Sequence, residues 1–192
     1  MYMVTNFSQS SRQQEGFALL LTLIVVSVLV AIGLTVLDLS VKQIRLSTNA
    51  KESETAFHAA NAGVECGRYW RRVASSTMEA GGTISPTCFS VTASNISPSS
   101  IVSSPPNAAF KYDYEFSWGA KPRCTKVSSL VIAAIATTTV NNMQDYFSGY
   151  PEDSKVCTAG ERCTVLSVRG YNRACTTASG YGSVEREVLL QF

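Results

Sequence analysis

The side chains in this sequence most able to form covalent or metal bonds are its six cysteines: Cys66, Cys88, Cys124, Cys157, Cys163 and Cys175. Cysteine sulfur forms disulfides or binds metals such as zinc, and zinc sites use closely spaced Cys and His ligands. No two cysteines have the Cys-x-x-Cys spacing, and His58 is the only histidine. The even number of cysteines instead favours disulfides made in an oxidising compartment. We therefore predict neither a metal site nor a cofactor.

Catalytic residue types do not form a known pattern. His58 follows Glu54 by four residues, which is the spacing of a surface pair on a helix. Neither Gly-x-Ser-x-Gly nor His-Glu-x-x-His occurs, and no spacing rule places a nucleophile beside a base. We therefore predict that the chain is not an enzyme.

Cations and aromatic rings adjoin in residues 68–72, which have the sequence Arg-Tyr-Trp-Arg-Arg. Such a patch can contact nucleic acid, but arginines at the end of a helix also favour its dipole and pack on neighbouring structure. The formal net charge is only +2, from 16 Lys and Arg against 14 Asp and Glu. We do not expect nucleic acid to be a partner, although adhesion or DNA capture by this patch stays open.

An uncharged run of 21 residues extends from Phe17 to Leu37. As a helix rising ~1.5 Å per residue, it can cross the ~30 Å hydrocarbon layer of a membrane and lie among its lipids. It is longer than the apolar centre of a secretory signal, although the small residues around Gly33 leave a cleaved signal as an alternative. All six cysteines follow the run. We therefore predict a single membrane span, residues 17–37, with an extracytoplasmic C-terminal part.

The helix is predicted to continue beyond the span, because residues 38–72 contain no proline and are rich in Ala, Glu, Lys, Arg and Gln. Together the two segments predict one long helix over residues 17–72. Its second half is expected to be amphipathic. The apolar stripe is expected to contain Ile44, Phe57, Ala60, Val64 and Gly67. Pairs at the i,i+4 spacing, Glu54 with His58 and Asp38 with Lys42, would add modest support.

The remaining chain predicts a small antiparallel sheet, and so an α+β fold. Residues 73–109 are rich in Ser, Thr, Pro and Gly, and this composition predicts a polar connection. The sheet is expected within residues 110–192. The clearest strand is Phe110 to Trp118, where aromatic and charged residues alternate. Further strands are expected at residues 127–135, 164–168 and 184–192, with loops at 141–161 and 176–183.

Two motifs in the N-terminal part resemble those of one protein family. The sequence Gly16-Phe17-Ala18-Leu19-Leu20-Leu21 resembles the cleavage site of type IV prepilins, in which a short hydrophilic leader ends in glycine and an apolar helix follows. Residues 53–65 resemble the Ala-Phe-x-Ala-Ala-x-Ala-x-x-Glu stretch of PilX-type minor pilins. The resemblance covers residues 12 to 70. Beyond it, only Arg169-Gly170-Tyr171-Asn172 and Val184-Glu185-Arg186 are loosely similar.

The resemblance implies a processed filament subunit with a pilin-like fold. Residues 1–16 would be a leader removed by prepilin peptidase after Gly16, and the new amino group of Phe17 would be methylated. The helix would then anchor the protein in the membrane and later enter the extracellular filament, with other pilin subunits and an assembly platform protein as partners. The residues implied for the assembly helix are Phe17, Leu21, Ala56, Phe57, Ala59, Ala60, Ala62 and Glu65.

Two positions depart from the family pattern. Most major pilins carry glutamate five residues after the cut, where this chain has Leu21, and prepilins usually have a basic residue where this chain has Glu15. In lacking this glutamate, the chain resembles PilX-type subunits and tip pseudopilins. The leucine therefore favours a minor subunit of a pilus or pseudopilus. The competing interpretation is a bitopic membrane protein whose disulfide-bonded head binds a ligand without polymerising.

The cysteines are expected to pair within the head. We predict Cys66 with Cys88, Cys124 with Cys175, and Cys157 with Cys163. The first bond would tie the end of the helix to the connection, the second would join two strand ends, and the third would close a small loop. Six cysteines allow fifteen pairings, so the other combinations stay open at this point.

Overall fold

A computed structural model describes residues 11–93, 95–102 and 107–192 of the chain, with side chains from Gly16 onward. Most of the predicted leader, residues 1–10, lies outside this description. The chain divides into two compact units, and the second extends from Ala50 to Phe192. Helix α1 runs from Ser11 to Val73, so it begins before the predicted cleavage site and ends one residue beyond the predicted boundary.

The second unit, called the head below, is an antiparallel β structure, as the sequence predicts. Its described part contains nine strands: β1 (Thr87–Cys88), β2 (Val91–Thr92), β3 (Ser99–Val102), β4 (Ala108–Trp118), β5 (Arg123–Ala133), β6 (Thr138–Asn141), β7 (Ser154–Cys157), β8 (Arg162–Tyr171) and β9 (Glu185–Gln191). The main sheet has the order β3-β4-β5-β8-β9, and every neighbouring pair in it is antiparallel. Strands β1 and β2 form one separate pair, and β6 and β7 form another. The α+β layout is therefore confirmed.

Alternation along β4 determines which side of the sheet is covered. Tyr112, Tyr114 and Phe116 are buried, whereas Asp113 and Glu115 point to the other side. The buried aromatic residues pack in one core with Val64 and Cys66 of α1. A period of two is what a strand with one covered face requires, so the aromatic-charged pattern in the sequence predicts this strand correctly.

The predicted polar connection, residues 73–109, is more structured than its composition indicates. It contains helix α2 (Ser75–Glu79) and strands β1 to β3, and it buries Met78 and Ile84. The hydroxyl of Tyr112 lies 3.1 Å from the Met78 carbonyl oxygen and 2.9 Å from that of Gly82, and its single proton can be donated to either. Burial raises the pKa of Tyr112 to about 12. The prediction of a simple loop was wrong because the segment's apolar residues, which also include the partly buried Phe89, Val91 and Ile96, pack against the core.

A second core lies on the opposite side of the sheet. The predicted loop 141–161 contains helix α3 (Met143–Tyr146) and strand β7. Its residues Met143, Phe147 and Tyr150 are buried in this core. They pack with Leu130, Ile132 and Val165 from one end of the sheet. The loop prediction is therefore corrected, because the segment carries enough apolar surface to cover part of the sheet.

The other strand boundaries extend beyond the predictions. Strand β5 begins at Arg123 rather than Val127, and β8 extends from Arg162 to Tyr171 rather than covering 164–168 alone. Strand β9, at Glu185–Gln191, agrees with the predicted 184–192 to within one residue at each end. The predicted loop 176–183 begins inside a short 3-10 turn at Cys175–Thr177. Sheet pairing extends strands into polar residues because the ladder bonds the backbone, whatever the side chain.

Three disulfides join Cys66 to Cys88, Cys124 to Cys175, and Cys157 to Cys163. These are the pairs expected from the sequence. The first connects α1 to the end of β1, the second connects β5 to the 3-10 turn, and the third connects β7 to β8. Each bond therefore adds a covalent tie to at least one segment that lies outside the main sheet.

We predict unequal contributions from two of these disulfides to the stability of the head. Cys124 and Cys175 are 51 residues apart, whereas Cys157 and Cys163 are only 6 apart. Chain-entropy reasoning gives about 4 kcal/mol for the longer loop and about 2 kcal/mol for the shorter one. Chemical unfolding of the oxidised full chain in detergent measures the free energy of unfolding. This free energy should fall more in Cys124→Ala/Cys175→Ala than in Cys157→Ala/Cys163→Ala. Equal losses, or the reverse order, would contradict the prediction.

Candidate functional site: the N-terminal helix

The first part of α1 presents only uncharged side chains between residues 17 and 37, and they are exposed. Phe17 and Leu21, the two positions singled out near the predicted cut, are 68% and 51% exposed. Among the described residues, this helix is the one long and apolar enough to cross a membrane. In water, so much apolar surface is unfavourable, at roughly 25 cal/mol for each Å². The helix therefore requires an apolar environment outside its own chain.

The polar side chains of the span are satisfied within the helix. Three hydroxyls donate to carbonyl oxygens one turn earlier, at 2.8 to 2.9 Å: Thr22 to Leu19, Ser27 to Ile24, and Thr35 to Ile32. An unpaired hydroxyl in hydrocarbon would be costly, and these local bonds remove that cost. The span is therefore compatible with lipid along its whole length.

The part of α1 that belongs to the head has a narrow buried face made of small residues. Ala56, Ala59 and Ala60 are fully buried, and Gly63 and Gly67 are buried beside them. These residues recur at intervals of three and four, as one helix face requires. The face thus includes three of the residues predicted for the assembly helix.

The predicted apolar stripe is wrong at its two largest residues. Ile44 is 66% exposed and Phe57 is 48% exposed, whereas Ala60, Val64 and Gly67 are buried as expected. Residue size explains the difference for Phe57. The strands approach α1 too closely for a phenyl ring, so the adjacent Ala56 occupies the buried position.

Gly170 of β8 sets this close approach. A Cβ added at Gly170 would overlap the carbonyl oxygen of Ala56 and the amide nitrogen of Ala60. A Cβ at Gly67 would come within 2.9 Å of a Leu166 methyl carbon. The two backbones therefore touch at a point where only glycine fits.

Hydrogen bonds fix the helix at the same place. The Thr125 hydroxyl donates to the carbonyl oxygen of Ala59 at 3.0 Å, and the Trp118 indole nitrogen donates to the Thr125 oxygen at 2.9 Å. Nearer the start of the docked segment, Arg186 donates from Nε and Nη2 to the Ser53 hydroxyl, at 2.8 and 2.6 Å. The helix is thus held by a directed chain of bonds in addition to apolar contact.

The other predicted helix residues lie at the margin of this interface. Ala62 is half-buried, and Glu65 is exposed with an oxygen 3.9 Å from Arg68. The expected i,i+4 pairs are present, with Asp38 2.7 Å from Lys42 and a His58 nitrogen 3.6 Å from Glu54. Because all of these side chains are largely exposed, the pairs contribute little to stability.

Sequence reasoning missed the roles of Thr125 and Gly170. Gly170 belongs to one of the loosely similar motifs, but no role was predicted for it. Its position inside an otherwise regular strand pattern is the feature that could have indicated close backbone contact. Thr125 lies outside the predicted strand, and no feature of the sequence indicated that its hydroxyl would bond to the carbonyl oxygen of Ala59.

Among the residues that the structure describes, two groups of side chains have the proximity needed to bind a metal ion. They are Glu115 with Cys124 and Cys175, and Glu161 with Cys157 and Cys163. In both groups the cysteines are joined as disulfides, so neither sulfur is available as a thiolate ligand. The short distances between the sulfur atoms in these groups therefore follow from the disulfide bonds.

Comparison with protein-family models, with curated proteins and with solved structures finds no match to this chain.

We expect Gly170→Ala to destabilise the head, because the new methyl group would overlap backbone atoms of α1 that cannot rotate away. Overpacking of this kind typically costs about 1–3 kcal/mol. Gly149→Ala is the matched control, since a Cβ there would lie an ordinary 3.5 Å from a Glu187 oxygen. Chemical unfolding of both variants as full chains in detergent checks the prediction. Similar stability for the two variants would contradict it.

Proposed function

We propose that this protein is a structural subunit, and a minor one, of a type IV pilus or a related pseudopilus. The observation that carries the proposal is that two segments of α1 have different surroundings. Residues 17–37 are uncharged and exposed, whereas Ala56 to Gly67 dock onto a disulfide-bonded head. A filament subunit needs one helical segment free to pack on sister helices and another that holds its own head.

Processing would precede assembly. The leader, residues 1–16, is removed by a prepilin peptidase after Gly16, and the amino group of Phe17 becomes the methylated N-terminus. Because this cut leaves residues 17–37 in place, the protein stays in the inner membrane with its head outside the cytoplasm. The motif at residues 16–21 and the pairing of all six cysteines support this order of events.

Assembly would exchange one apolar environment for another. Lipid chains cover the span before assembly, and similar helices cover it in the filament, so little apolar surface meets water at any stage. Packing between helices then decides which environment is favoured. The work of extraction comes from partners, an assembly platform protein and its ATPase.

The competing function is a bitopic membrane protein whose head binds a ligand without polymerising. The exposed span is compatible with both functions, since a lipid-embedded anchor needs the same surface. Cleavage after Gly16 and recovery in filaments separate them, because the competing function requires neither event.

Substitution of Gly16 tests the processing step. A Cβ added at Gly16 or at Gly33 would meet no atom within 4 Å apart from the adjacent helix backbone, so there is open space for a side chain at both positions. We expect Gly16→Val to leave a precursor 16 residues longer than the mature protein on an immunoblot. Gly33→Val is the matched control and should mature normally. Unchanged mobility of Gly16→Val relative to wild type, or absence of wild-type heads from sheared filaments, would overturn the proposal.

Substitution of Leu21 tests the assignment as a minor subunit. If the missing acid limits entry into the filament, Leu21→Glu should raise the share of the chain found in sheared filaments several-fold, because the carboxylate can pair with a neighbouring amino terminus. Leu21→Gln has the same size without the charge and should not. Quantitative immunoblotting of sheared and cell-bound fractions measures the share. An equal share of Leu21→Glu and Leu21→Gln in sheared filaments would exclude the electrostatic explanation.

A further inference from the structure

A groove in the head is lined by four arginines. It has a volume of about 790 Å³ and lies beside the last turns of α1 and the start of β8. Its principal lining residues are Arg68, Tyr69, Arg71, Arg72, Arg162 and Phe192. Glu65 is the carboxylate among the lining residues that the structure describes. The groove therefore carries an excess of positive charge on a chain whose total net charge is only +2.

Arg71 is fixed in the wall of this groove. Its side chain is 9% exposed, its Nε donates to the Thr164 hydroxyl at 2.8 Å, and its Nη2 donates to a Glu79 oxygen at 2.7 Å. A guanidinium group has five N–H donors, so these two bonds leave others unused. In the described part of the chain, no acceptor is bonded to its Nη1. Arg71 is thus held rigidly while it still has donors to offer.

Glu79 organises a second arginine at the same time. Its other carboxylate oxygen lies 3.5 Å from Nε of Arg162, whose side chain is 70% exposed. One largely buried carboxylate therefore hydrogen-bonds Arg71 at the end of α1 and forms a longer ion pair with Arg162 at the start of β8. Pre-positioned groups lose less conformational freedom when a ligand binds.

The two remaining arginines are more accessible. Arg68 lies over the Phe192 ring, 5.8 Å from its centroid, and its one salt bridge within the described part of the chain is the long 3.9 Å pair with Glu65. Arg72 is exposed, and among the described residues it takes part in no salt bridge. Both cations can turn toward a bound anion at little cost.

We propose that this groove binds a compact ligand carrying phosphate or sulfate groups. Such a group presents three acceptor oxygens, one more than a carboxylate, and can accept from several guanidinium forks at once. The volume falls within the range of small-molecule sites. The bounded groove favours a compact polyanion over a long polymer, which would need a stripe of cations along the surface. This site goes beyond the filament function and does not depend on it.

Binding can be measured by calorimetry with the full chain in detergent. The probes are inositol hexakisphosphate for phosphate and sucrose octasulfate for sulfate, so the preferred group is identified by comparing them. We expect saturable binding of at least one probe. Arg68→Gln/Arg72→Gln should weaken it about tenfold or more, the effect expected from losing a charge-assisted hydrogen bond.

The matched control is Arg45→Gln/Arg173→Gln, which removes two exposed arginines outside the groove. This variant should bind within about twofold of wild type, well below the effect of one such bond. Two results would overturn the proposal: failure of wild type to bind either probe, and equal weakening in both double variants, which would indicate attraction to overall charge. Binding of a twenty-nucleotide oligo-dT without binding of either compact probe would also overturn it, in favour of an extended nucleic-acid surface.

Discussion

The contact between the backbone of α1 and the backbone of β8 is the constraint on which the head depends. Gly170 has no side chain at the point where Ala56 and Ala60 cross it, and this allows the helix to sit directly on the strand. Once the axis is this close, the neighbouring helix positions must also be small, and bulky residues such as Phe57 are displaced to the margin. The small residues at the docked face of the helix, including Gly63 and Gly67, are those that this close approach requires.

Close contact between two backbones has a cost, because polar main-chain groups are brought out of water. Thr125 offsets it by donating to the Ala59 carbonyl, and Trp118 in turn donates to Thr125. Such a chain of bonds fixes the rotation of the helix as well as its distance, which apolar contact alone would do poorly. Residues 17–37 of the same helix differ from the docked segment. Their apolar side chains are large and exposed, and their hydroxyls bond to carbonyl oxygens within the helix. One continuous helix therefore combines a segment that is docked on its own head with a segment whose apolar side chains are exposed.

The sequence predicted the features that arise from local periodicity or from length. The long helix, the aromatic strand β4 and the α+β class all follow from patterns visible within ten to twenty residues. The segments 73–109 and 141–161 were predicted as loops because their composition is polar, yet Met78 and Phe147 are buried in them. Their burial depends on which part of the sheet lies nearby, and that is decided by contacts distant in sequence. The same applies to the arginine groove, since Arg162 of β8 meets Glu79 across a sequence separation of more than eighty residues.

The disulfide between Cys66 and Cys88 also determines how tension passes through the molecule. A pull that arrives along α1 reaches Cys66 and crosses the sulfur bridge directly to Cys88 at the end of β1. The last turns of the helix and the whole of α2 lie within the closed loop, outside the covalent path of that force. The segment from residue 67 to 87 is therefore coupled to a pull from the N-terminal end only through its non-covalent contacts with the sheet, such as the bond from Arg71 to Thr164.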